Sequence, residues 1–481
     1  MATLTLELQK NTKRKNLEDH FQDVIEVNPE LERRLVSFQA NKKEPFYRWF
    51  KYKEGFSSAL IKYVVESLGK SPGLLLDPFA GAGSALFAVQ ELGWQSHGIE
   101  LLPVGTFSMK VREASRRVDV KKFKVQRDHL LAHSLYRLKV IETYFDQVPI
   151  TQQAFSKETE RLLGRYLTYC ETIEDKNVKL LFLFAAFCVL EEVSFTRKDG
   201  QYLRWDHRSG KNGYGKKKFF KGDIPTFEAA IKAKLNQILF DLEAPQNEIL
   251  FNPNGNGHKN SRKIQPIKTF EGSCLNLLPK IENSLYDLII TSPPYCNRYD
   301  YTRTYALELV FLGADEGKIK DLRQTMLSCT VENKEKLEEI RKIYEGLSRL
   351  TGYEHVREIY FKCPAMQEVN AVLDDLNKQG VLNNSNIPRM GKNYFFEMSF
   401  VIFEMGRILK PGGYAVMVND NVRYGGEEVP VDLILSYFAE QFGLTVEKIW
   451  VLPRGKGNSS QQMGNFGRTE LRKCVYLWRK D

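Results

Sequence analysis

Short apolar runs ending in small or acidic residues alternate with amphipathic stretches over much of the chain. Leu74-Leu75-Leu76-Asp77 is apolar until its last position and is followed by glycines. It predicts a buried parallel strand entering a tight turn. A helix is predicted from about Ser84 to Leu92, and Ser96 to Glu100 predicts a second strand with a carboxylate at its end. Strand, glycine turn, helix and strand make a βαβ unit. Upstream, Ser57 to Leu68 has the spacing of an amphipathic helix.

Two long stretches interrupt this alternation. Residues 101 to about 265 read as helices followed by a Gly/Lys-rich segment, and residues 303 to 393 are again strongly helical. Between them, Phe270 to Cys274 and Tyr286 to Thr291 predict successive strands. The pattern resumes with a helix over Tyr394 to Leu409, stopped by Lys410-Pro411-Gly412-Gly413. A strand (Tyr414 to Val418), a helix (Val431 to Phe442) and two further strands (Thr445 to Pro453, Cys474 to Arg479) follow. Residues 1–44 are polar and predict a helical arm.

Composition narrows the partners. Of the 481 residues, 42% are hydrophobic and 27% charged, a globular balance, and the net charge of +10 favours polyanions. Seven cysteines without a CxxC pair argue against disulfides and a structural zinc site, and fit a reducing, cytoplasmic setting. The N-terminus lacks the pattern of a secretory signal. The longest apolar run, Leu180 to Leu190, is too short for a bilayer and predicts a buried helix, so no membrane association is expected.

Chemistry concentrates at two places. In Asp77-Pro78-Phe79-Ala80-Gly81-Ala82-Gly83-Ser84, small residues at a strand-to-helix turn let a ligand approach the backbone, and Glu100 is placed to accept from ribose hydroxyls. No Gly-Lys-Ser/Thr follows, so a nucleotide triphosphate is disfavoured and a phosphate-free nucleoside donor fits better. Thr291-Ser292-Pro293-Pro294-Tyr295 follows the buried run Asp287 to Ile290, on the side where open α/β sheets bind ligands. The exocyclic amino group of cytosine or adenine is a poor nucleophile, because its lone pair is delocalised. A hydroxyl and a carbonyl aimed by two prolines can accept its hydrogens and draw the nitrogen towards a tetrahedral form. Tyr295 offers a ring to stack on a base taken from the duplex. The plain alternative for these residues is a proline-rich turn.

With those motifs in view, the chain resembles the S-adenosylmethionine-dependent amino-methyltransferases of DNA restriction-modification systems, over residues 45–101, 268–302 and 394–480. Thr-Ser-Pro-Pro-Tyr looks like their motif IV in its cytosine-N4 form, and Asp-Pro-Phe-Ala-Gly-Ala-Gly like motif I. Lys53-Glu54-Gly55-Phe56 resembles motif X, Gly98-Ile99-Glu100 motif II, Gly272-Ser273-Cys274-Leu275 motif III and Tyr394 to Met398 motif V. Ser273 stands where motif III usually has Asp, and the insertion between motifs II and III is unusual.

The resemblance implies a Rossmann-like class I α/β fold: a doubly wound, mostly parallel sheet with one reversed strand, plus two mainly helical insertions. The implied organisation is an arm (1–44), a first segment of the catalytic core (45–101), an insertion (102–267), a second core segment (268–302), a helical insertion (303–393) and a closing core segment (394–481). The basic loop favours the first insertion as the reader of the target, and the second is its rival. Ser292, Pro293, Pro294 and Tyr295 are implied as catalytic. Lys53, Glu54, Gly55, Phe56, Asp77, Pro78, Phe79, Gly81, Gly83, Ser84, Glu100, Ser273 and Cys274 would hold S-adenosylmethionine, and no metal is required. The implied reaction is methylation of N4 of a flipped cytosine in double-stranded DNA, with a companion restriction endonuclease. The rivals are adenine-N6 methylation, methylation of an RNA base or a protein amide, and a non-catalytic DNA-binding subunit. Cytosine-C5 chemistry needs a Pro-Cys nucleophile, which the chain lacks.

For contacts to DNA, residues 195–221 interleave basic residues, among them Arg197, Arg204, Lys216, Lys217 and Lys218, with aromatics. Arg298 and Arg303, just after the catalytic motif, are candidates to hold phosphates; the plain alternative is a local ion pair with Asp300 or Glu308.

Overall fold

The structure, a computed structural model, describes residues 12–481 apart from 54, 200–201, 212–217, 245–264, 454–465 and 468–469. Glu54, Lys216 and Lys217 therefore lie outside the described residues.

In chain order the strands are β1 (Ile25–Val27), β2 (Leu74–Asp77), β3 (Gln95–Glu100), β4 (Thr196–Asp199), β5 (Tyr202–Trp205), β6 (Lys268–Glu271), β7 (Tyr286–Thr291), β8 (Leu409–Asp420), β9 (Val422–Tyr424), β10 (Glu427–Val429), β11 (Leu444–Val451) and β12 (Lys473–Lys480). Eight of them form one sheet in the order β1-β11-β12-β8-β7-β2-β3-β6. Only β12 runs antiparallel to its neighbours there, so this is the expected mostly parallel sheet with one reversed strand. The fold is Rossmann-like.

Period-two alternation divides the sheet between two cores. Ala415 and Met417 of β8 face the helices Ile387–Ile408 and Val431–Gln441, whereas Val416 and Val418 face the helices Ser58–Leu68 and Ser84–Glu91. The helix Ser58–Leu68 starts where it does because the Ser57 side chain accepts from the Leu60 N–H, and it ends on left-handed Gly69.

A third core gathers the helices Pro103–Ser115, Val120–Ala132, Lys157–Glu171, Lys176–Val193 and Phe227–Glu243 around the aromatic stretch Trp49, Phe50 and Tyr52. The run Leu180 to Leu190 is, as expected, inside a helix packed in this core. Among the described residues no helix is long and apolar enough to cross a membrane.

Several boundaries differ from the sequence pattern. The segment expected to be an arm has the helix Thr12–Phe21, but then supplies β1, which pairs in parallel with β11 at the sheet edge. The third strand of the pattern stops at Glu271, because Gly272 turns at φ 146° and Ser273 precedes the short helix Cys274–Leu277. Lys410-Pro411-Gly412-Gly413 does end a helix, yet it lies within β8. Tyr286 pairs with Leu409 and Leu288 with Tyr414, so the extra residues bulge out of the ladder. The stretch 303–393 is shared between cores. The helices Ala306–Phe311 and Glu316–Thr325 join the third core, and those spanning Leu337–Lys378 extend the core of the sheet.

Candidate active site

The carboxyl ends of β2, β3, β6 and β7 converge on one cavity, at the point where the sheet order reverses between β2 and β7. It spans about 820 Å³, its open mouth included.

The loop after β2 is shaped by close approaches. Gly81 has φ +54°, and a Cβ there would stand 3.0 Å from the Tyr52 ring. A Cβ on Gly105 would stand 2.5 Å from the Gly81 carbonyl oxygen. Glycine is required at both positions, the first by backbone conformation as well as space. Glu100 ties the turn together: its carboxylate accepts from the Gly81 N–H (2.6 Å) and the Leu102 N–H (2.7 Å). Asp77 Oδ1 accepts from the Phe79 N–H (3.0 Å) and from the Thr291 hydroxyl (2.7 Å), which joins the ends of β2 and β7. Burial pushes both carboxyls up to about 7, against 3.8 for Asp77 and 4.5 for Glu100 ordinarily; their hydrogen bonds oppose the shift.

Of the residues picked out by sequence, Gly55, Phe56, Asp77, Pro78, Phe79, Gly81, Ser84, Glu100, Ser273, Cys274, Ser292 and Pro294 line this cavity together. Lys53, Gly83, Pro293 and Tyr295 are not on its lining. Gly83 instead opens the helix Ser84–Glu91 at φ +80°, wedged against Met109 and Phe87. Tyr295 is buried, and its hydroxyl accepts a 3.2 Å bond from Ser292 Oγ. Cys296 is buried and its thiol is pushed up to about 12 by desolvation, so it is no thiolate nucleophile.

Sequence reasoning missed Phe38, in the presumed arm, and Met326 and Leu327, in the second interruption. No local signature marks them. Tyr52 and Tyr301 also line the cavity; both lie in aromatic stretches that flank recognised motifs.

No protein-family model matches this sequence. Whole-chain relatives exist. Type II methyltransferase M.AvaI of Nostoc sp. (strain PCC 7120 / SAG 25.82 / UTEX 2576) is 47% identical over 474 residues, covering 97% of this chain and 93% of the relative. The M.AvaI of Anabaena variabilis matches to the same extent. Type II methyltransferase M.BsoBI of Geobacillus stearothermophilus is 39% identical over 482 residues, covering 97% and 92% of the two chains. The chain belongs to the type II methyltransferases.

In this methyltransferase the basic candidates divide by their partners. Arg303 pairs with Glu332 and with Asp300 (3.4 Å), and Arg323 bridges the same two acids. Arg298, at φ +67°, donates to the Asn383 side chain (2.8 Å). Arg204 and its register partner Arg197 share the exposed face of the β4–β5 hairpin, both over the Phe219 ring. Lys218, next to Phe219 in sequence, is exposed. The hairpin packs against the short helix Tyr301–Thr304 that follows the Ser-Pro-Pro-Tyr motif.

Proposed function

We propose that this chain is a site-specific DNA methyltransferase of a restriction-modification system, transferring a methyl group from S-adenosylmethionine to N4 of a cytosine flipped out of double-stranded DNA. One observation carries the reading: Ser292 and Pro294 line the same cavity as Phe79, Gly81 and Glu100. Donor-type and acceptor-type chemistry thus share a single space.

The lining fits the donor. A glycine turn without phosphate-binding residues, a buried carboxylate at the end of β3 and the apolar walls Phe56, Phe79 and Leu327 suit a nucleoside. When bound, S-adenosylmethionine supplies an electrophilic methyl group on a positively charged sulfur. Glu100 then takes the ribose hydroxyls, and Gly55, Phe56, Ser273 and Cys274 complete the cradle, with Lys53 and Glu54 flanking it in sequence.

The acceptor side needs only positioning and hydrogen-bond acceptors. Ser292 directs its proton to Tyr295, which leaves the lone pairs of its oxygen free to accept from the amino group. The Pro293 carbonyl and the Tyr295 ring, which follow Ser292 without lining the cavity, are assigned as the second acceptor and the stacking partner. The chemistry S-adenosylmethionine would supply is in-line displacement, in which the nitrogen–carbon bond would replace the carbon–sulfur bond and the electron pair would remain on sulfur. The nitrogen then gives up one proton to solvent.

The test is nucleoside analysis. DNA incubated with the chain and isotopically labelled S-adenosylmethionine is digested and examined by mass spectrometry, and labelled N4-methylcytosine is the expected product. N6-methyladenine would overturn the choice of base, and no labelled nucleoside would overturn the proposal.

A further inference from the structure

Lys198 is a lysine where a hairpin needs none. It lies on the inner face of β4, its side chain 3% exposed, while Arg197 beside it points to the outside. Its ammonium is paired with Glu308 and lies 4.6 Å from the centroid of the Tyr305 ring and 5.1 Å from that of Phe50. Taking an ion pair out of water is costly, and an apolar side chain would dock the hairpin at least as well. A buried pair of this kind calls for a task other than adhesion.

Its neighbours supply one. Tyr305 stacks on Tyr52, ring centroids 5.1 Å apart and planes 25° from parallel, and its hydroxyl accepts from the Lys53 N–H at 2.5 Å. The Lys53 ammonium in turn donates to the Lys198 carbonyl (3.2 Å). Tyr52 lines the cavity and stands against Gly81, where a Cβ would meet its ring at 3.0 Å. Lys198 and Glu308 come from the two interruptions of the sheet pattern, Tyr52 and Lys53 from the segment before the first helix of the core.

We infer that Lys198 is a positioning residue for the donor pocket. Held by Glu308, it fixes Tyr305, and Tyr305 fixes both the Tyr52 ring and the backbone at Lys53 against the glycine turn. The inference rests on the reading of the cavity as the S-adenosylmethionine site.

Titration calorimetry with S-adenosylmethionine on the full chain tests it, alongside methyl-transfer kinetics. Lys198→Met is expected to weaken donor binding about tenfold, raising the donor KM in step and leaving kcat within about twofold. Arg472→Met breaks another pair to a buried acid, Asp432, neither residue lining the cavity, and is expected to lower stability without moving donor affinity. Should Lys198→Met fail to fold, Tyr305→Phe keeps the ring, removes the bond from Lys53, and is expected to weaken donor binding about threefold. Donor affinity within twofold of wild type in the folded Lys198→Met protein, or in Tyr305→Phe when the former does not fold, would overturn the inference. So would an equal loss in Arg472→Met. Wild-type protein that does not bind S-adenosylmethionine at all would instead overturn the reading of the cavity, and this inference with it.

Discussion

The Thr291 hydroxyl donates to Asp77 Oδ1 across 2.7 Å, joining two strand ends that are 214 residues apart in the chain. The bond extends the β2–β7 ladder to the glycine turn and the Ser-Pro-Pro-Tyr segment. Thr291→Val keeps the shape, removes the donor and leaves the fully buried Asp77 carboxyl with the Phe79 N–H as its remaining hydrogen-bond donor among the described residues. The expected cost is about 1–3 kcal/mol of stability by urea denaturation, with a fall in kcat at saturating donor. Unchanged turnover in the folded variant would show that this bond does not align the two halves.

Asp77 and Glu100 predict opposite pH slopes for stability and for donor binding. Burial raises each to about 7. Since the folded-state value lies above the unfolded one, the folded protein holds the proton more tightly. That contribution is complete below about pH 4 and is lost as pH rises through about 7. Both bonds to Asp77 end on Oδ1, so Asp77→Asn can keep them while removing the charge. The fall in the unfolding midpoint from about pH 5 to about pH 8 should therefore be shallower in Asp77→Asn than in wild type. Donor binding runs the other way: ribose hydroxyls favour ionised Glu100, so affinity should rise between about pH 6 and pH 8, and Glu100→Gln should remove the rise. Calorimetry across that range reads both.

Much of this site is legible from sequence because its chemistry sits at strand ends. Asp77 and Glu100 end their strands, Gly81 lies in the turn just past β2 and Ser292 follows β7, and a parallel sheet brings such ends together whatever separates them in the chain. The strands and the βαβ unit follow from the apolar pattern, whereas the reversed strand follows from the family resemblance. What stays illegible is fixed by long-range contacts. Ile25-Glu26-Val27 is too short to show alternation, and becomes a strand only because Ile449 to Val451 offers it an edge. Phe38, Met326 and Leu327 are ordinary apolar residues until packing delivers them to the cavity. The same holds for Lys198, whose burial beside Glu308 no local pattern announces.

Leu327 adjoins an ion pair that ties the second interruption to the core. Glu397, on the long helix Ile387–Ile408, accepts from the Ser328 N–H (2.7 Å) and hydroxyl, and the Lys336 ammonium bonds both of its oxygens and Ser328. All three residues are buried. Lys336→Ala leaves Glu397 without its cation and should cost about 3–5 kcal/mol, whereas Lys392→Ala, which breaks a half-exposed pair to Asp374, should cost under about 1 kcal/mol. Equal losses from the two in a denaturation series would refute the distinction.

The β4–β5 hairpin predicts how DNA affinity depends on salt. Arg197 and Arg204 are cross-strand partners on its exposed face, their guanidinium carbons 5.6 and 4.2 Å from the Phe219 centroid, so both are preordered on one ring. Arg204 also meets Asp199, but that pair is nearly half exposed and should yield readily to a phosphate. The hairpin packs on the helix Tyr301–Thr304, which places its basic face next to the segment leading from Ser292. If each arginine neutralises one phosphate, the double variant Arg197→Ala/Arg204→Ala should flatten the slope of log K against log salt by about 2 and weaken binding at every sequence alike. Donor affinity without DNA should not change, because both side chains lie over Phe219 on the outer face of the hairpin, opposite the Lys198 contacts to Tyr305 and Glu308. An unaltered salt slope would remove the hairpin from the DNA interface and leave the second interruption as the place to look.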